Sequence, residues 1–382
     1  MTRIVQIGSF PLSSDCIRGG VEASVFGLAS AQSVEHEVHV FDVPRVGGSN
    51  IVENVVGITV HRFRNHGGKQ FAAGRQAIAI AREIQSLQPE VCHIHGTSLF
   101  AWLMYRELKK KGMHLVVTVH GLVLVEKRNA LKKSLTAKKL FQYLYQGWVE
   151  KRFLSQLPMA IVDTEYVKDM VNQYPIRRKP VMHVIPQGIR ESFFSLRCSK
   201  DSRMVLSVGA IGERKGHLIT LRAFELAEKN GIDAKLAIAG TVADKQYLER
   251  LQNAIAQSEY GGQVSLFTDV SDEALKHLYE KAHLFVLHSE EESQGIVFAE
   301  AMATGLPVVA TQVGGVPWVV GHERNGLLSV FGDVETFAKH IQNIMMDATL
   351  WQTMSEASIE AASDYHWNNI SERIISLYHA DC

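Results

Sequence analysis

No apolar run in this chain of 382 residues approaches the roughly 18 to 20 residues that a bilayer-crossing helix needs. The start, MTRIVQIGSF, has too brief an apolar core for a signal peptide and no cleavage site, so it reads as a short strand. Cysteine is scarce: the 4 present, Cys16, Cys92, Cys198 and Cys382, lack paired spacing. Neither a disulfide framework nor a zinc site is indicated, and a reducing cytoplasm fits best. No G-x-G-x-x-G follows the first strand, which disfavours a dinucleotide-binding dehydrogenase.

What is present describes a folded protein, 46% apolar and 21% charged. The length exceeds one ordinary core and favours two domains. A net charge of zero conceals segregation. Residues 1–185 hold 24 Lys+Arg against 14 Asp+Glu, a surplus of +10, and residues 186–382 hold 16 against 26, a balance of −10. A basic first half suits an anionic partner or surface. No recognised nucleic-acid-binding element accompanies the charge.

Strand-like runs alternate with helical patterns, which implies βα units and parallel sheets. In the first half the strands read 3–8, 37–43, 58–63, 91–95, 115–119, 160–164 and 182–185, with helices at 21–32, 71–87, 99–110 and 135–157. A second alternation begins at 204, with strands at 204–208, 235–239, 264–267, 284–287 and 307–310 and helices at 216–229, 245–257, 272–281 and 297–304. The helices 334–346 and 350–362 follow, and 367–379 is amphipathic enough to return to the first domain. The expected class is α/β, with two Rossmann-like doubly wound domains facing a central cleft. The expected division is 1–186 with the returning helix 365–382, a linker 187–202, and 203–364.

The chemistry concentrates in Ser289 to Val320, SEEESQGIVFAEAMATGLPVVATQVGGVPWVV. A Gly turn at Gly295 opens a helix, a strand follows, and Gly314-Gly315 closes the stretch. Helix N-terminal amides suit anions. Glutamates repel phosphate, so Glu292 and Glu300 suit hydroxyl-rich groups, and Glu290 and Glu291 read as solvent-facing. The ligand is therefore both anionic and polyhydroxylated. Arg214-Lys215-Gly216 stands between a strand and a helix, where two cations complement phosphate oxygens, and Gly240 lies on the same rim. Gly19-Gly20, with Arg18 and Glu22, opens the first long helix; His120 ends a strand on the functional rim of its sheet. His93 and His95 share one strand face but have no third metal ligand at fitting spacing. Lys127 to Arg152 sets Lys127, Arg128, Lys132, Lys133, Lys138 and Lys139 before Phe141, Tyr143, Tyr145 and Trp148. The segment fits either an anionic membrane surface or a helix with a solvated basic side and a core-facing aromatic side.

Taken together these motifs resemble the retaining, nucleotide-sugar-dependent glycosyltransferases of family 4, which have the GT-B fold. The similarity spans nearly the full length: Gly19-Gly20 with Glu22, His120-Gly121, Ile185-Pro186-Gln187-Gly188, Lys215-Gly216, and Glu292 with Glu300 continuing as EAMATGLPVVATQVGG. The resemblance implies that Lys215 holds the donor diphosphate with amides near Gly295 and Ile296. Glu300 would bind the ribose and Glu292 the donor sugar; His120 would contact the sugar or reacting centre. Gly20 would admit the phosphate, with Arg214, Gly240, Val270 and Val297 completing the donor-binding set. It further implies front-face transfer with retention and no metal or cofactor, in keeping with the lack of any Asp-x-Asp.

Four departures bear on donor identity and hinge: Ala210 where the family has Arg, Gln187 for Asn, Trp318 for an acidic residue, and Gly240-Thr241-Val242 for Gly-x-Gly. The expected partners are a nucleotide-sugar donor, UDP-linked first and GDP-linked second, and a hydroxyl acceptor, lipid-linked in glycolipid assembly. The expected location is cytoplasmic and peripheral on the inner membrane face. An epimerase, a phosphorylase and a non-catalytic sugar-nucleotide-binding scaffold share the architecture. Lys215→Ala and Glu292→Gln are each expected to abolish turnover and leave thermal unfolding little changed.

Overall fold

The computed structural model describes residues 1–12, 17, 19–46, 50–65, 70–133 and 135–380. Arg18, Cys16 and Cys382 lie outside them. The chain divides into two compact units, Met1–Gly188 with Trp367–Cys382, and Ile189–His366.

In the first unit the order is β1 (Arg3–Gly8), α1 (Gly20–Gln32), β2 (Glu37–Val46), β3 (Ile51–Val55), β4 (Ile58–Asn65), α2 (Gln70–Ser86), β5 (Val91–His95), α3 (Leu99–Lys110), β6 (Leu115–Val119), α4 (Val123–Lys133), α5 (Ala137–Leu154), β7 (Met159–Val162), α6 (Glu165–Asn172) and β8 (Val181–Val184). The sheet runs β3-β4-β2-β1-β5-β6-β7-β8. Among the described residues only β3 pairs antiparallel, on the edge beside β4. Every residue of β5 and β7 is buried, as expected for strands covered on both faces.

The second unit contributes β9 (Met204–Val208), α7 (His217–Lys229), β10 (Lys235–Gly240), α8 (Lys245–Gln257), β11 (Val264–Thr268), α9 (Asp272–Lys281), β12 (Leu284–Leu287), α10 (Ile296–Ala303), β13 (Val308–Thr311), α11 (Val316–Val319), β14 (Gly326–Ser329), α12 (Val334–Met346) and α13 (Ala348–Ala362). Its sheet is parallel throughout, in the order β11-β10-β9-β12-β13-β14. The last helix, α14 (Trp367–Ala380), packs on α1 of the first unit.

Residues 187–202 are not a linker. Ile189 and Phe193 enter the apolar core of the second unit, and the Ile189 amide donates to Tyr365 O at 3.0 Å. The helix expected at 135–157 is α5, and a separate helix that was not expected, α4, precedes it. Glu150 of α5 ties the two together: its carboxylate accepts the Val123 and Leu124 amides at 3.0 Å each, closing the start of α4 as a cap would. In both sheets the strand order reverses beside the first strand, between β1 and β5 and between β9 and β12. Ligands of open α/β sheets bind outside such reversals.

Candidate functional site

In the second unit the two loops at the reversal carry the cations and the glutamates. After β9 the chain makes one tight turn, Glu213–Lys215, and Gly216 then takes a left-handed φ of 64°. A Cβ at Gly216 would overlap the His288 carbonyl oxygen just beyond β12, so only glycine lets this turn settle there. The Glu290 amide donates to Arg214 O at 2.8 Å, tying the loops together. Lys215 Nζ donates to Glu292 Oε1, and both side chains are buried. Arg214 Nη1 donates to Glu291 O at 3.0 Å and lies 3.5 Å from Glu292 Oε2. Glu291, expected in solvent, is buried because its backbone forms part of this clamp.

Gly314-Gly315 serves Glu292 from the other side. Gly314, at a φ of 52°, lies so close that a Cβ would overlap Glu292 O, and the Gly315 amide donates to that oxygen at 2.8 Å. The glycine pair that closes this stretch therefore fixes the backbone of the glutamate. Trp318, in the short helix that follows, is half exposed. Ile296 and Val297 open α10 after Gly295, and their amides lack intrahelical acceptors.

Glu300, one turn into α10, is buried. Burial pushes its carboxyl up from the usual range, opposed by Arg190 and the Tyr279 hydroxyl. Tyr279 donates to Oε2 at 3.2 Å, and Arg190 Nη2 stands 3.5 Å from Oε1 while pairing with Asp272. Arg190 was hidden from sequence reasoning by its place in an apparent linker. Gly240 ends β10, where a Cβ would overlap Gly209 O, so the loops after β9 and β10 meet backbone to backbone. Val270 lies half-buried in the loop after the edge strand β11, on the far side of β10 and β9 from Glu292.

In the first unit Gly20 opens α1 in an exposed position. His120 follows β6, and Asp163 follows β7 in the neighbouring register. His120 Nδ1 and Asp163 Oδ1 are 3.6 Å apart. Gln187 donates to the other Asp163 oxygen. Together with His95, Ser24 and Trp367 these residues line a cavity of about 10 Å³, room for one water molecule. The repeated strand-end polar residue, His120 and then Asp163, is the signal that would have exposed the pairing. His93 and His95 serve hydrogen bonds: the nitrogens of His93 meet Tyr378 Oη and Thr118 Oγ1 at 2.7 and 2.6 Å. Those of His95 meet His120 Nε2 at 2.9 Å and Gln6 Oε1 at 2.5 Å. Among the described residues no group of three or more His, Cys, Asp or Glu could hold a metal ion.

Two reversal-point sites on two doubly wound sheets define a GT-B architecture, and the chain's relatives agree. The family model described as Glycosyltransferase Family 4 matches residues 18–193, and that described as Glycosyl transferases group 1 matches residues 188–361. The chain belongs to the glycosyltransferases built from these two domains.

An uncharacterised glycosyltransferase of Methanocaldococcus jannaschii is 31% identical over 48% of this chain and 46% of its own length. The mannosylfructose-phosphate synthase of Agrobacterium fabrum is 27% identical over 57% and 52%. The chain thus matches about half the length of these curated relatives. A D-inositol 3-phosphate glycosyltransferase of Corynebacterium diphtheriae aligns at 24% identity over 96% of this chain and 87% of its own. Among solved structures, sucrose-phosphate synthase of Thermosynechococcus elongatus shares the fold at a TM-score of 0.79, with 20% identity, covering 99% of this chain and 98% of that one. An Anabaena protein solved with UDP and glucose shares it at 0.72, with 18% identity and full coverage of both chains.

Proposed function

We propose that the protein transfers a hexosyl group from a nucleotide-diphosphate sugar to a hydroxyl acceptor with retention, without a metal, in cell-surface polysaccharide or glycolipid assembly. The observation that carries this reading is the buried Lys215–Glu292 pair, with Arg214 beside it, at the strand-order reversal of the second sheet. A diphosphate offers Lys215 and Arg214 stronger acceptors than a carboxylate shared between them. Its arrival draws the ammonium away and leaves Glu292 to accept hydrogen bonds from sugar hydroxyls. The amides at Gly295, Ile296 and Val297 add positive potential, and Glu300 accepts from the ribose. His120 is assigned to the sugar or the reacting centre.

In the reaction the bond from the anomeric carbon to the diphosphate oxygen breaks, and a bond to the acceptor oxygen forms on the same face. The acceptor's proton passes to the leaving phosphate. The protein supplies orientation and charge stabilisation rather than a nucleophile. UDP is the favoured nucleotide, supported by the Anabaena neighbour solved with UDP and glucose, and GDP the second.

The test is thermal unfolding of the full chain with UDP, GDP, ADP and TDP sugars, followed by NMR of the product's anomeric proton. One nucleotide series should raise the midpoint by several degrees, as binding to the native state alone requires, and the product should keep the donor's anomeric configuration. No shift with any nucleotide, or inversion, overturns the reading.

A further inference from the structure

Helix α5 is apolar on two opposite faces. Its inner face is pinned by Glu150, which is fully buried and also accepts from the Thr97 and Tyr174 hydroxyls at 2.7 and 3.0 Å. Val149, Phe153 and Leu154 enter the core beside it. Its outer face carries Leu140, Phe141, Leu144 and Trp148, whose spacing places them along one stripe. They are 40%, 66%, 59% and 56% exposed. Leu135, just before the Thr136 cap, is 77% exposed. The aromatic side of this helix was expected to face the core or a membrane, and Phe141 and Trp148 face outward. A continuous exposed apolar stripe marks an interaction surface.

We propose that this outer face of α5 docks on an anionic lipid bilayer. Phe141, Leu144 and Trp148 enter the interfacial layer, and Lys138 and Arg152 meet lipid phosphates. Charge complementarity selects the occupant: both cations are exposed, one in the first turn of α5 and one in the last, on the half of the chain that holds 24 Lys+Arg against 14 Asp+Glu. A single apolar helix face with cations at its ends is the pattern of a helix lying in the bilayer interface. Tryptophan favours that depth. Among the described residues no helix is long and apolar enough to cross, so the contact is peripheral. It stands independently of the glycosyl-transfer reading.

The experiment sediments the full chain with vesicles of mixed phosphatidylglycerol and phosphatidylcholine, or of phosphatidylcholine alone, at low and high salt. Binding should require the anionic lipid and weaken with salt. A blue shift of emission on binding should be lost in Trp148→Phe. The triple variant Phe141→Ser, Leu144→Ser, Trp148→Ser should bind roughly a hundredfold more weakly. Lys138→Gln with Arg152→Gln should lose roughly twenty-five-fold, about fivefold per cation. Should the triple variant lose its circular-dichroism signature, the charge pair and the Trp148 shift decide alone. Absence of binding to anionic vesicles, binding unchanged in both variants, or a stripe-dependent dimer in sedimentation velocity overturns the proposal; the last assigns the face to a second copy.

Discussion

His95 Nδ1 lies 2.9 Å from His120 Nε2, and the two rings stack 5.1 Å apart and 4° from parallel. The protons follow from the neighbours. Gln6 Nε2 donates to Gln32 Oε1 at 2.6 Å, so its Oε1 is the acceptor facing His95 Nε2 at 2.5 Å. His95 therefore carries its proton on Nε2, accepts at Nδ1, and obliges His120 to donate from Nε2. His120 Nδ1 is left toward Asp163. Asp163→Asn should lower kcat by roughly 10- to 100-fold with little change in donor KM, since it removes the carboxylate beside His120 and leaves Lys215 and Glu292 untouched. A change confined to donor KM contradicts this.

Two buried histidines of β5, His93 and His95, set an acid limit. Burial, aided by His120, lowers His93 to about 3. Burial, then His93 and His120, holds His95 well below the ordinary value. Both folded pKa values lie below the unfolded one, so the folded state binds fewer protons. Their contribution is fully present above about pH 6.5 and is lost as pH falls toward the folded values, at about 1.4 kcal/mol per pH unit for each group. Thermal midpoints of the full chain should fall between neutral pH and pH 5, and His93→Gln should flatten that slope. Parallel slopes would count against it.

Glu300 titrates in the opposite sense. Burial raises its carboxyl while Arg190 and Tyr279 hold it down. Arg190→Met should raise it further, and only the ionised carboxylate is acceptor-only toward ribose hydroxyls. Donor affinity in this variant should fall more steeply below neutral pH than in the parent, as titration calorimetry across pH would show. An identical pH profile removes Glu300 from the ribose.

The return of α14 rests on a close fit. Trp367 packs so tightly on Gly27 and Gly188 that a Cβ at either would overlap its indole. Gly27→Ala should destabilise the chain by roughly 1 to 3 kcal/mol, the range for overpacking, measured by denaturant unfolding. An unchanged midpoint would show that the helix does not hold this position in solution.

The parallel strands were legible because strands buried on both faces are short, continuous apolar runs such as Leu284–Leu287. Edge strand β3, Ile51–Val55, has a half-exposed IVENV pattern, and no local signal separates it from a loop. Helix α4 was hidden because Glu150, far along the chain, supplies the capping contacts that a sequence reader seeks next door. At the site, Lys215 and Glu292 were legible as chemistry but not as partners. Their burial against each other revises one expectation. Lys215→Ala strands a buried carboxylate with only Arg214 at 3.5 Å, so it should destabilise by roughly 3 kcal/mol rather than leave unfolding unchanged.

That pairing also separates the two residues' roles. Glu292→Gln releases Lys215 from its carboxylate, so the free nucleoside diphosphate should bind at least as tightly as to the parent. Transfer should fall roughly a hundredfold or more, because in the proposed reaction Glu292 is the acceptor for the sugar hydroxyls.

The most direct measurement is release of nucleoside diphosphate from a nucleotide sugar in the presence of acceptor, compared for the parent chain, Glu292→Gln, and Glu292→Gln with Lys215→Met. The parent should turn over one donor, the single variant should bind diphosphate with turnover reduced roughly a hundredfold or more, and the double variant should lose both. A double variant that is folded and fully active contradicts a donor site built on Lys215 and Glu292.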